Sequence, residues 1–267
     1  MRAFLRKQYI NLAAHFARVK KGVYIMNGHY LSRQSANDPE LFKAQLKQLQ
    51  KQVRFINIQQ ACEWVMSGQA ADVDETLVAF TFDDGFTDCF ESLAPALEHF
   101  SVNACFFVNP GFIDGDSKYK TQFTEQVVRT TGKQSMDWQQ CKSLVERGFV
   151  IGNHTHDHKR LSGLSNEEAE QQVATGKQRI EQELGINCEH FAWPYGQKAD
   201  VTAGQISMLQ RHHKYLYSGC NFTQYTDFAG AVLNRRHFEA DWRVSDVKYF
   251  LSKPRTYAQH IARDSAA

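Results

Sequence analysis

The chain has 267 residues, 42% of them hydrophobic and 22% charged, a balance that excludes disordered and fibrous classes and leaves enough chain to bury a substantial core. Its 31 basic and 29 acidic side chains are interspersed and sum to a formal charge of +2, so no basic face marks nucleic acid as the principal partner. Six cysteines (Cys62, Cys89, Cys105, Cys141, Cys188 and Cys220) occur without a CxxC pair, the pattern of buried thiols in a reducing compartment rather than of a disulfide framework.

In the first eighteen residues the early positive charge is followed by apolar residues that Lys7, Gln8, Asn11 and His15 interrupt, a poor signal-peptide core. No apolar run approaches the ~18 residues of a membrane span. Residues 1–20 are therefore expected to form a basic amphipathic helix on a cytoplasmic protein, with Phe4, Ile10, Leu12 and Phe16 packing on the domain or, alternatively, touching the inner membrane surface. Short apolar runs then read as strands at 23–26, 53–58, 77–82, 104–108, 149–151, 190–193 and 215–218. Between them, Asp38 before Pro39 suggests a helix start, with Phe42, Leu46 and Leu49 on one face. The polar stretch from Asn109 to Gly132 reads as a long loop or short helix. Ser165 and Glu168 form a capping-box pattern that opens a helix carrying Ala169, Val173, Ile180 and Leu184 and ending at Gly185. Repeated strand–helix units imply an α/β fold with about seven parallel strands, a barrel rather than an open sheet. Without linker or repeat, residues 21–267 read as one domain.

Three clusters fall at predicted strand ends, where an α/β barrel gathers its active-site groups. In Thr81-Phe-Asp-Asp-Gly85 two adjacent carboxylates point in different directions, so one can hold a cation while the other stays free as a base; alone, the segment equally suits an acidic turn closed by Gly85. In Gly152-Asn-His-Thr-His-Asp-His158, His154 and His158 at i and i+4 on one helical turn would present both imidazoles to a single metal. Two His and one carboxylate leave positions open for water and substrate, as catalytic sites do. Phe191-Ala-Trp-Pro-Tyr-Gly196 runs into a turn where a backbone N–H such as that of Tyr195 is left to face a developing oxyanion.

With TFDDG, HTHDH and WPYG in this order, the chain resembles the polysaccharide deacetylase family, which includes chitin-oligosaccharide and peptidoglycan deacetylases. Ile25-Met-Asn-Gly-His29, Phe106-Phe-Val108, Met136-Asp-Trp138 and Gly148-Phe-Val-Ile-Gly152 agree with it, so the likeness runs from about Val23 to Val247. The resemblance implies a distorted (β/α) barrel that removes an N-acyl group, N-acetyl by preference, from an amino sugar. It makes Asp83 the general base, and Asp84, His154 and His158 the ligands of a divalent cation, zinc by donor type, with cobalt, nickel or manganese also suited. The Tyr195 N–H would help hold the oxyanion. A late-strand His would protonate the leaving amine, which points to His237, with His212 and His213 also late in the chain. Many members carry an Arg before the Pro-Tyr-Gly turn, where this chain has Ala192 and Trp193, so Arg235 or Arg236 is expected to reach the base instead. Trp193 is a candidate to stack on a sugar ring, and Trp64, Trp138 and Trp242 read as packing.

No GxSxG occurs and no cysteine falls in a cluster, which argues against a Ser or Cys hydrolase. Two alternatives remain: a deformylase acting on a sugar or lipid-linked sugar through the same site, and an inactive carbohydrate-binding scaffold that kept the barrel. The complete set of Asp83, Asp84, His154 and His158 favours an enzyme. The substrate expected is an amino-sugar saccharide or its nucleotide- or lipid-linked precursor.

Overall fold

A computed structural model describes residues 14, 17–32, 39–219 and 223–258; most of the expected N-terminal helix, Asp38 and Cys220 lie outside them. The strands are β1 (Gly22–Gly28), β2 (Arg54–Phe55), β3 (Thr76–Phe82), β4 (Ala104–Val108), β5 (Val150–Asn153), β6 (His190–Ala192), β7 (Tyr215–Ser218), β8 (Thr226–Asp227), β9 (Val232–Asn234) and β10 (Arg236–His237). The principal helices are α1 (Pro39–Leu49), α2 (Ile58–Met66), α3 (Ala94–Glu98), α4 (Pro110–Asp114), α5 (Ser117–Gln122), α6 (Trp138–Glu146), α7 (Asn166–Leu184), α8 (Ala203–His212) and α9 (Val244–Leu251). Six of the strand runs expected from the sequence are present, and of the 53–58 run only Arg54–Phe55 form a strand, Ile58 already opening α2. The polar stretch after Asn109 holds α4 and α5. The α7 termini follow the sequence closely: Ser165 and Glu168 complete the capping box, and Gly185 closes the helix at φ 66°.

The sheet runs β10-β1-β3-β4-β5-β6-β7-β9-β8, parallel except for the β8–β9 pair. Its ends meet through one stretch of chain. Residues 232–234 pair with β7 and residues 236–237 with β1, so the segment changes neighbours at Arg235 and joins the two sides of a distorted seven-stranded barrel. The two-residue β2 pairs only at the margin of β3, so the seventh staff of the barrel is this late segment and not the 53–58 run.

Alternation along the strands separates two cores. Tyr24, Met26, Val78, Phe80, Ala104 and Phe106 face an outer cluster shared with α1 and α6. Val23, Ile25, Leu77, Ala79, Cys105, Phe107, Tyr217 and Leu233 face inward, with Cys62 of α2 in the same cluster. The Phe107 and Tyr217 rings meet at 5.2 Å although β4 and β7 are not neighbours, which shows how tightly the sheet curls. Continuing the inward parity past the strand ends places Thr81 and Asp83, Asn27 and His29, and Arg235, His237 and Glu239 around the C-terminal mouth. Among the described residues, five cysteines are buried free thiols, and no helix is long and apolar enough to cross a membrane.

Candidate metal and hydrolytic site

The mouth opens into a groove of about 860 Å³, near the top of the ~300–1,000 Å³ range of small-molecule sites. Asp84 leaves β3 with a left-handed backbone (φ 73°) and is followed by Gly85 at φ 66°, a reversal that turns its carboxylate away from that of Asp83. The Asp84 Oδ1 lies 3.6 Å from His154 Nε2 and 3.3 Å from His158 Nε2. Donors on a tetrahedral cation with bonds of ~2.0–2.1 Å stand roughly 3.3–3.4 Å apart, so the three residues suit a divalent ion as they stand.

His154 and His158 do not share a helical turn. His154 follows β5, and the residues after it form an irregular loop in which Thr155 (φ 64°) and His158 (φ 57°) are left-handed. The loop brings the imidazole centroids to 5.0 Å by folding back rather than by helical spacing. Packing holds it there: Gly111 donates its N–H to the His156 carbonyl at 2.9 Å, and Asp157 accepts from Tyr119 and Gln172 at 2.9 Å each. A Cβ on Gly111 would stand 2.3 Å from Asp157 Oδ1, so the close approach requires glycine. His154 is set from the other side, with Nδ1 2.7 Å from the Ala192 carbonyl, which fixes the tautomer that turns the Nε2 lone pair toward Asp84.

The charge states suit ligation. Burial would raise the Asp84 carboxyl, but the adjoining His154 and His158 hold it well below the usual carboxylate range. Burial pushes His158 below the ordinary imidazole value, keeping it neutral.

Asp83 has a different partner. Arg235 Nη1 and Nη2 donate to its two carboxylate oxygens at 2.7 and 2.9 Å, while Nη1 also donates to Thr81 Oγ1 and Nε to the Ser218 carbonyl. Burial would raise the Asp83 carboxyl, and the Arg235 guanidinium overrides it, holding the group ionised. Strand parity separates the two arginines: Arg236 points outward over the Tyr24 ring and donates to the Phe250 carbonyl.

Tyr195 lies on the rim with φ 65° and is 45% exposed. Among the described residues its N–H has no acceptor, and its ring packs between His158 and Arg160. Of the eight described non-glycine residues with left-handed backbones, Asp84, Thr155, His158 and Tyr195 all belong to this site, which is where such conformations concentrate when function demands them. Trp193 is fully buried, with Nε1 donating to the Gln197 carbonyl, so no sugar can stack on it; Tyr30 and Tyr195 line the groove instead.

His237 lines the groove, whereas His213 is buried against Phe191 and His212 pairs with Glu170. Two residues complete this side: His29, which ends the early-strand motif but was given no role, and Glu239, which the motif reading left aside. Glu239 accepts from the His29 backbone N–H at 3.1 Å and pairs with His29 Nδ1 at 2.9 Å, and it lies 3.7 Å from His237 Nε2. Burial opposes charge on His29, but Glu239 prevails and raises it to about 9. The period-2 spacing of His237 and Glu239 was the available signal for the acid.

The family model for polysaccharide deacetylase matches residues 70–211. The Bacillus subtilis protein YxkH is 25% identical over 138 residues, 52% of this chain and 43% of that protein; YlxY of the same organism is 24% identical over 124 residues, 46% of this chain and 32% of its own length. The chain thus spans less than half of these curated relatives. Among solved structures, the Streptococcus pyogenes deacetylase PplD, in complex with acetate, has the same fold at TM-score 0.67 and 18% identity, over 86% of this chain and 98% of that one. IcaB from Ammonifex degensii superposes at TM-score 0.67 and 21% identity, over 88% and 99%. Barrel, strand-end motifs and family match coincide, and the chain belongs to the polysaccharide deacetylase family.

Proposed function

We propose that residues 21–267 form one catalytic domain that hydrolyses the N-acyl group, N-acetyl by preference, of an amino sugar, in a saccharide or its nucleotide- or lipid-linked precursor. The observation that carries this reading is the division of labour between adjacent acids: Asp84 faces His154 and His158, while Asp83 faces Arg235 and the groove. Asp84, His154 and His158 would hold the divalent cation, zinc by donor type, and such an ion supplies Lewis acidity to the acyl carbonyl and the attacking water. Asp83, kept ionised and oriented by Arg235, takes the proton from that water. The Tyr195 N–H donates to the oxyanion, and its ring offers a sugar a stacking face. The proton for the departing amine comes from the His29–Glu239–His237 group. His237 is the more exposed member, and His29 carries the proton at neutral pH.

The test is acetate release from N-acetylglucosamine oligomers by the zinc-loaded protein, with formate release from N-formyl analogues in parallel. Acetate released by the wild type and lost in Asp83→Asn supports the reading; formate alone would favour the deformylase alternative, and neither product with any substrate class would favour a binding scaffold.

A further inference from the structure

The groove contains a second group of metal-type donors. β1 and β10 run parallel with Asn27 opposite His237, so the residues two positions further on, His29 and Glu239, emerge side by side on the same face. The donor atoms of His29, His237 and Glu239 all lie within 4.8 Å of one another. Their separations from Glu239 Oε1, 2.9 Å for His29 and 3.7 Å for His237, bracket the roughly 3.3–3.4 Å expected between donors on a tetrahedral zinc. The His29 and His237 side chains are 29% and 40% exposed, so an ion can reach them from the groove without any part of the fold opening. The Trp242 ring, edge-on to His237 at 5.3 Å, restricts how that imidazole turns.

We propose that His29, His237 and Glu239 form a second divalent-cation site, weaker than the one at Asp84, and that an ion there stops turnover by taking the place of the proton this trio must deliver. Binding breaks the His29–Glu239 hydrogen bond and releases the shared proton to solvent, because imidazole ligates only through a free lone pair. The site is the weaker of the two because its two imidazoles are partly exposed, whereas Asp84, His154 and His158 are all buried and His154 is braced by the Ala192 carbonyl. The effect on turnover rests on the proposed hydrolysis; the binding stoichiometry does not.

Calorimetric titration of zinc into the metal-free full chain is expected to show two equivalents, the second about tenfold or more weaker. His237→Ala and Glu239→Gln should each lose only the weaker equivalent, and the His154→Ala/His158→Ala double variant only the tighter. A single equivalent in the wild type, or a second that survives both His237→Ala and Glu239→Gln, overturns the site. In acetate-release assays, zinc beyond one equivalent should lower the wild-type rate severalfold, with recovery on chelation back to one; a rate indifferent to a calorimetrically bound second ion overturns the competition. Absence of any hydrolysis would refute the proposed function and leave the calorimetry to decide the site.

Discussion

Arg235 holds Asp83 through two parallel hydrogen bonds of 2.7 and 2.9 Å although 152 residues separate them. The guanidinium is fully buried and also lies over the Phe107 and Tyr217 rings, so its charge has no solvent to fall back on.

Replacing Arg235 with Met leaves Asp83 buried without its counter-charge, and the expected loss is about 3–5 kcal/mol of stability. Asp83→Asn in the same chain should restore part of it, which a double-mutant cycle in denaturant measures. The pH signature has a definite sign. Arg235 lowers the native Asp83 value below the ordinary 3.8, so its stabilisation is present above that value and disappears as pH falls through the native one. The deficit of Arg235→Met should therefore be largest at neutral pH and shrink in acid, as Asp83 takes up its proton.

Asp83→Asn should reduce acetate release by about 10²–10⁴-fold, the usual contribution of a general base, with zinc content unchanged by elemental analysis. Asp84→Ala is the converse, losing the tightly bound zinc along with turnover. Equal zinc loss in both variants would contradict the division of roles.

Gly111→Ala changes no ligand. Its Cβ would press on Asp157 Oδ1 at 2.3 Å and the His156 carbonyl at 2.8 Å, which should shift the His154–His158 loop, cost about 1–3 kcal/mol, and weaken zinc binding by roughly 10–100-fold. Thermal unfolding and zinc competition against a chromophoric chelator report the two effects separately.

Glu239→Gln removes the charge that raises His29 to about 9. A raised imidazole contributes stability fully below its ordinary 6.5 and loses it as pH climbs through the native value. The variant should therefore be destabilised most in mild acid and match the wild type above pH of about 9, and the alkaline limb of its rate profile should fall earlier. An unchanged alkaline limb would separate His29 from proton delivery.

The strands were legible because their apolar runs are short, β-rich and bounded by turns, and α7 because Ser165, Glu168 and Gly185 mark both of its ends. The i, i+4 spacing of His154 and His158 pointed to a helical turn that the structure does not have: the two meet beside Asp84 because Thr155 and His158 are left-handed, through contacts with Gly111, Tyr119 and Gln172 that no local pattern encodes. Arg235 and Arg236 were indistinguishable until strand parity turned one inward and the other outward. Glu239 was overlooked because a lone acid after a short late strand has no motif, and its importance arises only from the β1–β10 pairing.

The crossover at Arg235 also sets an order of events during synthesis. Asp84, His154, His158 and the Ala192 carbonyl have all been translated once Tyr195 emerges, so a nascent chain already carries the whole Asp84–His154–His158 cluster. The guanidinium for Asp83, together with His237 and Glu239, arrives only with the segment that bridges β7 to β1. Until that last staff is seated, Asp83 lacks its counter-charge and the His29–Glu239–His237 cluster has not come together.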